Sequence, residues 1–149
     1  MFNLRRLCVE DVAIPKAEIV SVSADIKKSE LVSVFRESGL TRLPVYEGTL
    51  DNPIGMVHLK DFTLGYAFAK KNTFKIKDIL RPLLYVPASM TIGVLLTKMQ
   101  SDRRHLALVI DEYGGVDGLV TIEDLIEQVI GEIEDCLLYT SPSPRDSIR

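Results

Sequence analysis

The strongest constraint on how this chain can fold is that it is written twice. Gly55-Met56-Val57-His58-Leu59-Lys60-Asp61-Phe62 returns as Gly118-Leu119-Val120-Thr121-Ile122-Glu123-Asp124-Leu125, an offset of 63 residues (118 minus 55). The same offset runs back without a gap to Arg42-Leu43-Pro44-Val45 against His105-Leu106-Ala107-Leu108. Two copies of so long a period mean two small units that share a core. The chain has 149 residues, and a unit of about 60 residues would be marginal alone. The copies differ where chemistry would sit, because His58 stands where the second copy has Thr121. A polar site built on these positions is therefore expected to be asymmetric.

The local patterns give each unit the order strand, helix, strand, strand, helix. Residues 1–18 read as a short lead-in helix and a turn at Pro15, and Ile19 to Ser23 alternates as a strand. Leu31, Val34 and Phe35 fall at helical spacing, closed by Gly39 as a C-cap. Leu43 to Tyr46 and Ile54 to His58 are strands around a turn over 48–53, and Leu59 to Lys70 is a helix. The second unit repeats this with strands at Leu84 to Val86, Leu106 to Ile110 and Val116 to Val120. Its helices carry Ile92, Leu95 and Met99 in one case and Ile122, Leu125 and Val129 in the other. A short helix is expected from Lys75 to Leu80. The fold class is α+β, two β-α-β-β-α units packed as a pseudo-twofold pair. The expected divisions are 1–70 (lead-in and first unit), 71–135 (linker and second unit) and 136–149. The last stretch turns abruptly to Ser, Pro and Arg, and is expected to be a disordered, non-native tail.

Composition narrows the function. Net charge is −3, with Lys and Arg scattered, so nothing points to nucleic acid. No apolar run approaches the roughly 18 residues that span a bilayer, so direct membrane insertion is not expected. Cys8 and Cys136 form neither a metal spacing nor a disulfide framework, which suits a reducing, cytoplasmic setting. His58 and His105 are the two histidines and have no neighbouring Cys or second His, so no metal site is expected. No Ser/His/Asp order, no Cys/His pair with a base and no Walker-type Gly-Lys-Ser occurs, so no catalytic residues are assigned and the chain does not read as an enzyme.

The repeated Gly-apolar-apolar-Thr-x-x-Asp ends a strand and opens a helix. One reading is a capping box, Thr121 capping and Asp124 reaching back. The other uses the same atoms for a ligand: a carboxylate there can accept from two adjacent hydroxyls, as on a ribose, and free N–H groups at a helix start face anions.

The wider pattern resembles a tandem pair of CBS domains, the Bateman module, and more narrowly that of the CorC/HlyC-like magnesium and cobalt efflux proteins and the related cyclin M transporters. The resemblance covers roughly residues 5–135. It is carried by Gly39-Leu40-Thr41-Arg42-Leu43-Pro44-Val45-Tyr46-Glu47-Gly48, Gly55 to Asp61, Asp111-Glu112-Tyr113-Gly114-Gly115, Gly118 to Glu127, and Gly131-Glu132-Ile133-Glu134-Asp135.

The resemblance implies an adenine nucleotide, AMP or ATP, in a cleft between the units, with any Mg2+ carried by the phosphates. Carried onto matching positions, Thr121 and Asp124 would hold the ribose, Thr41 and Arg42 would face the phosphates, and Pro44 would wall the adenine. Ile14 matches a lining position of the lead-in. Pro44 lacks an N–H and suits an edge or pocket-facing strand better than a central one. With His58 in the Thr position, one functional and one degenerate site are expected. The resemblance also implies a homodimer and a membrane transport domain, in cis or in trans, read through the nucleotide. The rivals are a structural dimerisation module with an empty cleft and a CBS pair regulating an attached enzyme.

Overall fold

The computed structural model describes residues 7–68 and 75–140. The end of the expected helix at Lys70, most of the linker before Lys75 and the Ser-Pro stretch after Thr140 lie outside the described residues. The chain opens with α1 (Val9–Val12) and β1 (Ile14–Pro15). The first unit follows as β2 (Val22–Ser23), α2 (Lys28–Ser38), β3 (Arg42–Glu47), β4 (Thr49–His58) and α3 (Leu59–Phe68). The second is β5 (Leu84–Pro87), α4 (Ile92–Ser101), β6 (Leu106–Ile110), β7 (Val116–Thr121) and α5 (Ile122–Thr140). Among the described residues no helix is long and apolar enough to cross a membrane.

Each helix forms for a local reason. In α2, Leu31 and Phe35 lie four apart and are both buried, so one stripe faces the core. Gly39, at φ 68°, then ends it with its N–H on the Phe35 carbonyl, 3.0 Å away. The segment Ile76–Ile79 is a 3₁₀ turn in place of the expected short helix, and Ile76 is buried in the first unit. Helix α5 does not stop at Cys136: it runs on to Thr140, since Leu-Leu-Tyr-Thr holds no breaker and the first comes at Pro142.

Two sheets result, β2-β3-β4 and β1-β7-β6-β5. The expected turn over 48–53 is shorter than its composition suggests. Gly48, at φ 82°, makes the reversal, and Asp51, Asn52 and Pro53 belong to β4 with an irregular register. A proline is tolerated there because β4 is an edge strand. Pro44, by contrast, lies in β3, the central strand, against the expectation. The register explains how. Met56, opposite Pro44, turns its N–H and C=O away to Arg81, so this pair exchanges no hydrogen bonds. On the other side β2 pairs only from Val45 onward, so no partner there needs an N–H from Pro44.

The copies superpose with one correction. Leu59 N–H bonds the Thr41 carbonyl at 2.7 Å, and Ile122 N–H bonds the His105 carbonyl at 3.0 Å. The helix starts differ by 63 (122 minus 59) but the strand starts by 64 (105 minus 41). The gapless alignment therefore slips by one before the hairpin. Arg42 is equivalent to Leu106, Thr41 to His105 and Gly39 to Arg103. The backbone agrees, because Gly39 and Arg103 both have positive φ, 68° and 54°.

The lead-in segments cross over. β1 pairs antiparallel with β7 of the second unit, Ile14 opposite Leu119, and Val9 is buried in the second unit's core. Arg81, just before the second unit, bridges Met56 of the first through two backbone bonds of 2.9 and 2.8 Å. A third cluster joins the sheets, with Met56 against Leu106, Leu108 and Leu119. This seam between the units positions every candidate site residue.

Candidate functional site

Directly opposed residues in a sheet share a face, and so do residues two apart on a strand. Thr121 opposes Leu106 and lies two residues from Leu119, which opposes Ile14. Leu106 and Leu119 belong to the seam cluster, and Ile14 packs against it. Ile14 and Thr121 thus share the seam face of the second sheet. In the first sheet Pro44 opposes Met56 and Arg42 opposes His58, so Arg42, Pro44 and His58 share the face that holds Met56. Gly118 permits this geometry at one point: a Cβ there would stand 2.7 Å from the Ile14 carbonyl oxygen. Thr41 is exposed at the mouth of β3, its carbonyl tied to the start of α3.

At the start of α5 half of the capping box forms. Asp124 N–H donates to Thr121 Oγ1 at 3.2 Å. The Asp124 carboxylate has no hydrogen-bond or ion-pair partner among the described residues. Half-buried and unpaired, it retains its full capacity to accept from two hydroxyls. The Thr121 hydroxyl proton is likewise left to donate outward. This donor and acceptor set fits the edge of a ribose.

The equivalent place in the first unit is filled. Asp61 accepts two bonds from Arg81, from Nε at 2.6 Å and from Nη2 at 2.9 Å, a bidentate pair. Arg81 is the repeat partner of Ile14, since Met56 and Leu119, which they bridge, are themselves 63 apart. The hydrogen bond from Arg81 holds the Asp61 carboxyl below its usual range. His58 replaces the threonine and caps differently, accepting from Lys60 N–H at Nδ1, 3.0 Å away. Partial burial, then the charges of Arg42 and Arg81, press its pKa down, so the ring is neutral with its proton on Nε2.

Beside this pair the seam opens into a cleft of about 360 Å³. Arg42, His58, Lys60 and Arg81 line it from the first unit and the linker. Arg103, Arg104 and His105 line it from the second. Asp102 is the acidic lining residue, and Lys98 stands 3.8 Å from it. Carrying this lining through the repeat yields Ile14, Gly39, Leu40, Thr41, Arg42, Thr121 and Glu123. That set contains four of the six residues expected from sequence, with Asp124 matching Asp61 and Pro44 two residues from Arg42. Arg42 itself lies in the basic cleft and, by the repeat, at the border of both.

Sequence reasoning missed Arg81, Arg103 and Arg104. Arg81-Pro82 echoes Ile14-Pro15, which was the available signal. It also missed Asp51, which accepts from Lys16 Nζ at 2.7 Å and from Val116 N–H at 3.0 Å, tying the lead-in, the first hairpin and β7 together.

A family model described as the CBS domain matches residues 9–65 and 76–131. A hemolysin C homolog of Rickettsia massiliae is 41% identical over 136 residues, 91% of this chain and 45% of that protein. The chain therefore spans less than half the length of such relatives. The solved CBS domain of a bacterial CNNM/CorC family Mg2+ transporter in complex with ATP is 32% identical with a TM-score of 0.80, over 87% of this chain and 91% of that one. A CBS-domain pair with bound AMP from Klebsiella pneumoniae is 28% identical with a TM-score of 0.73, over 84% and 99% of the two chains. Two matched repeats, their crossed lead-ins and these likenesses agree: the chain belongs to the CBS-domain family, as a tandem pair related to the CBS domains of the CNNM/CorC Mg2+ transporters.

Proposed function

We propose that this chain is the adenine-nucleotide-binding regulatory module of a CorC/HlyC-like divalent-cation efflux protein, acting by binding and not by catalysis. The observation that carries the reading is the Asp124 carboxylate, without a partner among the described residues, on the residue whose N–H bonds Thr121 Oγ1, in contrast to the occupied Asp61. In this reading Thr121 and Asp124 hold the ribose, and Ile14 and Pro44 line the base from the two sheets. Thr41 and Arg42 meet the phosphates, where the planar Arg fork suits paired oxygens. Mg2+, when present, arrives on those phosphates. Occupancy favours one arrangement of the two units to the extent that the nucleotide binds that arrangement more tightly. A cytoplasmic-facing transport domain for Mg2+ or Co2+, in cis or in trans, would read the change. A homodimer is part of the proposal: Ile126 and Ile130 lie four apart on one face of α5 and are 44% and 48% exposed.

Calorimetric titration of the full chain with AMP, ADP and ATP, with and without Mg2+, tests the reading. One site per chain is expected. Asp124→Ala should weaken it about 10- to 150-fold, the loss of charge-assisted hydrogen bonds worth roughly 1.5–3 kcal/mol. Asp61→Ala should leave nucleotide affinity within about twofold, since its carboxylate is committed to Arg81. No heat with any nucleotide would leave a dimerising scaffold as the function.

A further inference from the structure

We propose that the basic cleft of the first unit is a second site, which takes an oligophosphate anion and not a nucleoside. The case stands on this cleft alone and does not need the ribose site to be real.

Carried through the repeat, four lining positions are more positive in the first cleft, against two that run the other way, Asp102 for Ser38 and Leu106 for Arg42. Arg81 replaces Ile14, Lys60 replaces Glu123, Arg103 replaces Gly39, and Arg104 replaces Leu40. His58 and His105 replace Thr121 and Thr41. Ribose recognition is cancelled at the same time, because Arg81 already holds both oxygens of Asp61. What remains is a concave lining in which Arg42, Lys60, Arg103 and Arg104 outnumber Asp102. Arg42, Lys60 and Arg103 make no ion pair among the described residues, and Asp102 is the acidic residue that lines the cleft with them. Arg104 is fixed at the rim by donating from Nη1 to the Pro82 carbonyl at 2.9 Å.

Arg103 supplies an independent sign. It is the one described non-glycine residue with positive φ, at 54°, and its repeat partner is a glycine. Strain retained at a cleft points to a side chain used there. A cavity of about 360 Å³ is within the range of small-ligand sites. Several cations converging from two units match a chain of phosphates better than a single one. Such a group can come from free pyrophosphate or tripolyphosphate, or from the tail of a nucleotide anchored across the seam at Thr121, which opposes the lining residue Leu106.

The test titrates the full chain with sodium tripolyphosphate, and separately with AMP and ATP, in metal-free buffer. Variants are Arg103→Gly, which restores the repeat's own residue, and Lys60→Glu, which copies the second unit at an exposed position. Thermal melts confirm that both fold. Tripolyphosphate should bind, more weakly as salt rises, and each variant should lose roughly tenfold, the size of one lost charge-assisted contact. Asp124→Ala should leave that binding unchanged, so a failure of the nucleotide reading and a failure of this one are read separately. If tripolyphosphate is silent but ATP, and not AMP, weakens in both variants, the anion is the nucleotide's own tail and the site stands. If neither tripolyphosphate nor ATP responds to Arg103→Gly or Lys60→Glu, the site is refuted.

Discussion

Asp61 and Asp124 stand at the same place in two copies of one helix start. One carboxylate is gripped by a guanidinium 2.6 Å away, and the other has no partner among the described residues. The difference goes with the residue bridged to the strand before each helix, Arg81 at Met56 in one case and Ile14 at Leu119 in the other. Neither residue lies in the repeated motif. A motif copied by duplication thus keeps its backbone role while a segment outside it decides whether its polar atoms remain available. The cores diverged more quietly: Phe35 stacks on Phe62 with centroids 5.7 Å apart, where the second unit has Met99 and Leu125.

That comparison can be broken most forcefully in the cores. Phe62→Ala should cost about 3–5 kcal/mol, read from the urea midpoint, because a nearly buried ring leaves a cavity and an unstacked partner. An undiminished midpoint would mean the first unit's core does not hold the pair together. Next are the two glycines under the crossing segments. At Gly118 a Cβ would meet the Ile14 carbonyl oxygen at 2.7 Å, and at Gly55 the Arg81 carbonyl oxygen at 3.1 Å. Gly118→Ala should therefore destabilise by about 2 kcal/mol and Gly55→Ala by about 1, in that order, from overpacking against backbone. Equal costs would show that the two crossings are equally tight in solution.

Smaller effects sharpen the contrast. Arg103→Gly should stabilise by about 0.5 kcal/mol in the absence of anions. Relief of the left-handed backbone, roughly 1–2 kcal/mol, is offset by the extra freedom of glycine in the unfolded chain. A loss of stability would mean that the side chain contributes to folding and not only to the cleft. The smallest effect is in acid. The hydrogen bond from Arg81 lowers the folded-state pKa of Asp61. The stability this contributes is present above the unfolded carboxylate pKa, about 3.9, and is lost as pH falls through the lower folded value. Asp61 is 26% and Arg81 45% exposed, so solvent screening leaves about 0.5 kcal/mol. Asp61→Asn should therefore lower stability by about that much near neutrality and converge on the unmodified chain as pH falls through the folded value, in melts taken from pH 7 downward.

The helices, and the end of α2, were legible in the sequence because their signals are local, whereas α5 runs on to Thr140 past its expected end. The stripe of α2 and its Gly39 cap lie within one stretch of chain and were placed correctly. Register was not legible at the same level. Leu43 aligns plausibly with Leu106, yet the hydrogen bonds of Thr41 and His105 place it with Ala107, because a one-residue difference hides in the hairpins. Pro44 in a central strand was unforeseen since its tolerance depends on how far β2 extends, which is a property of another strand. Ile14, Thr121 and Asp124 could be proposed from their motifs. The basic cleft could not, because its residues come from four separated stretches, of which Arg103-Arg104-His105 is the one that is basic as a run.

The crossed lead-ins carry a consequence for how such a module is made. A strand that completes the sheet of the other unit cannot pair when it leaves the ribosome. β1 must wait for β7, more than a hundred residues later in synthesis (119 minus 14 is 105). Closure of so distant a pair is slow compared with helix formation. The nascent first half therefore holds an unclaimed strand until the second half arrives. A break anywhere between residues 16 and 116 leaves two fragments, each carrying a piece the other needs. They could regain the fold only by finding each other, so selection would act on the two copies as one inheritance.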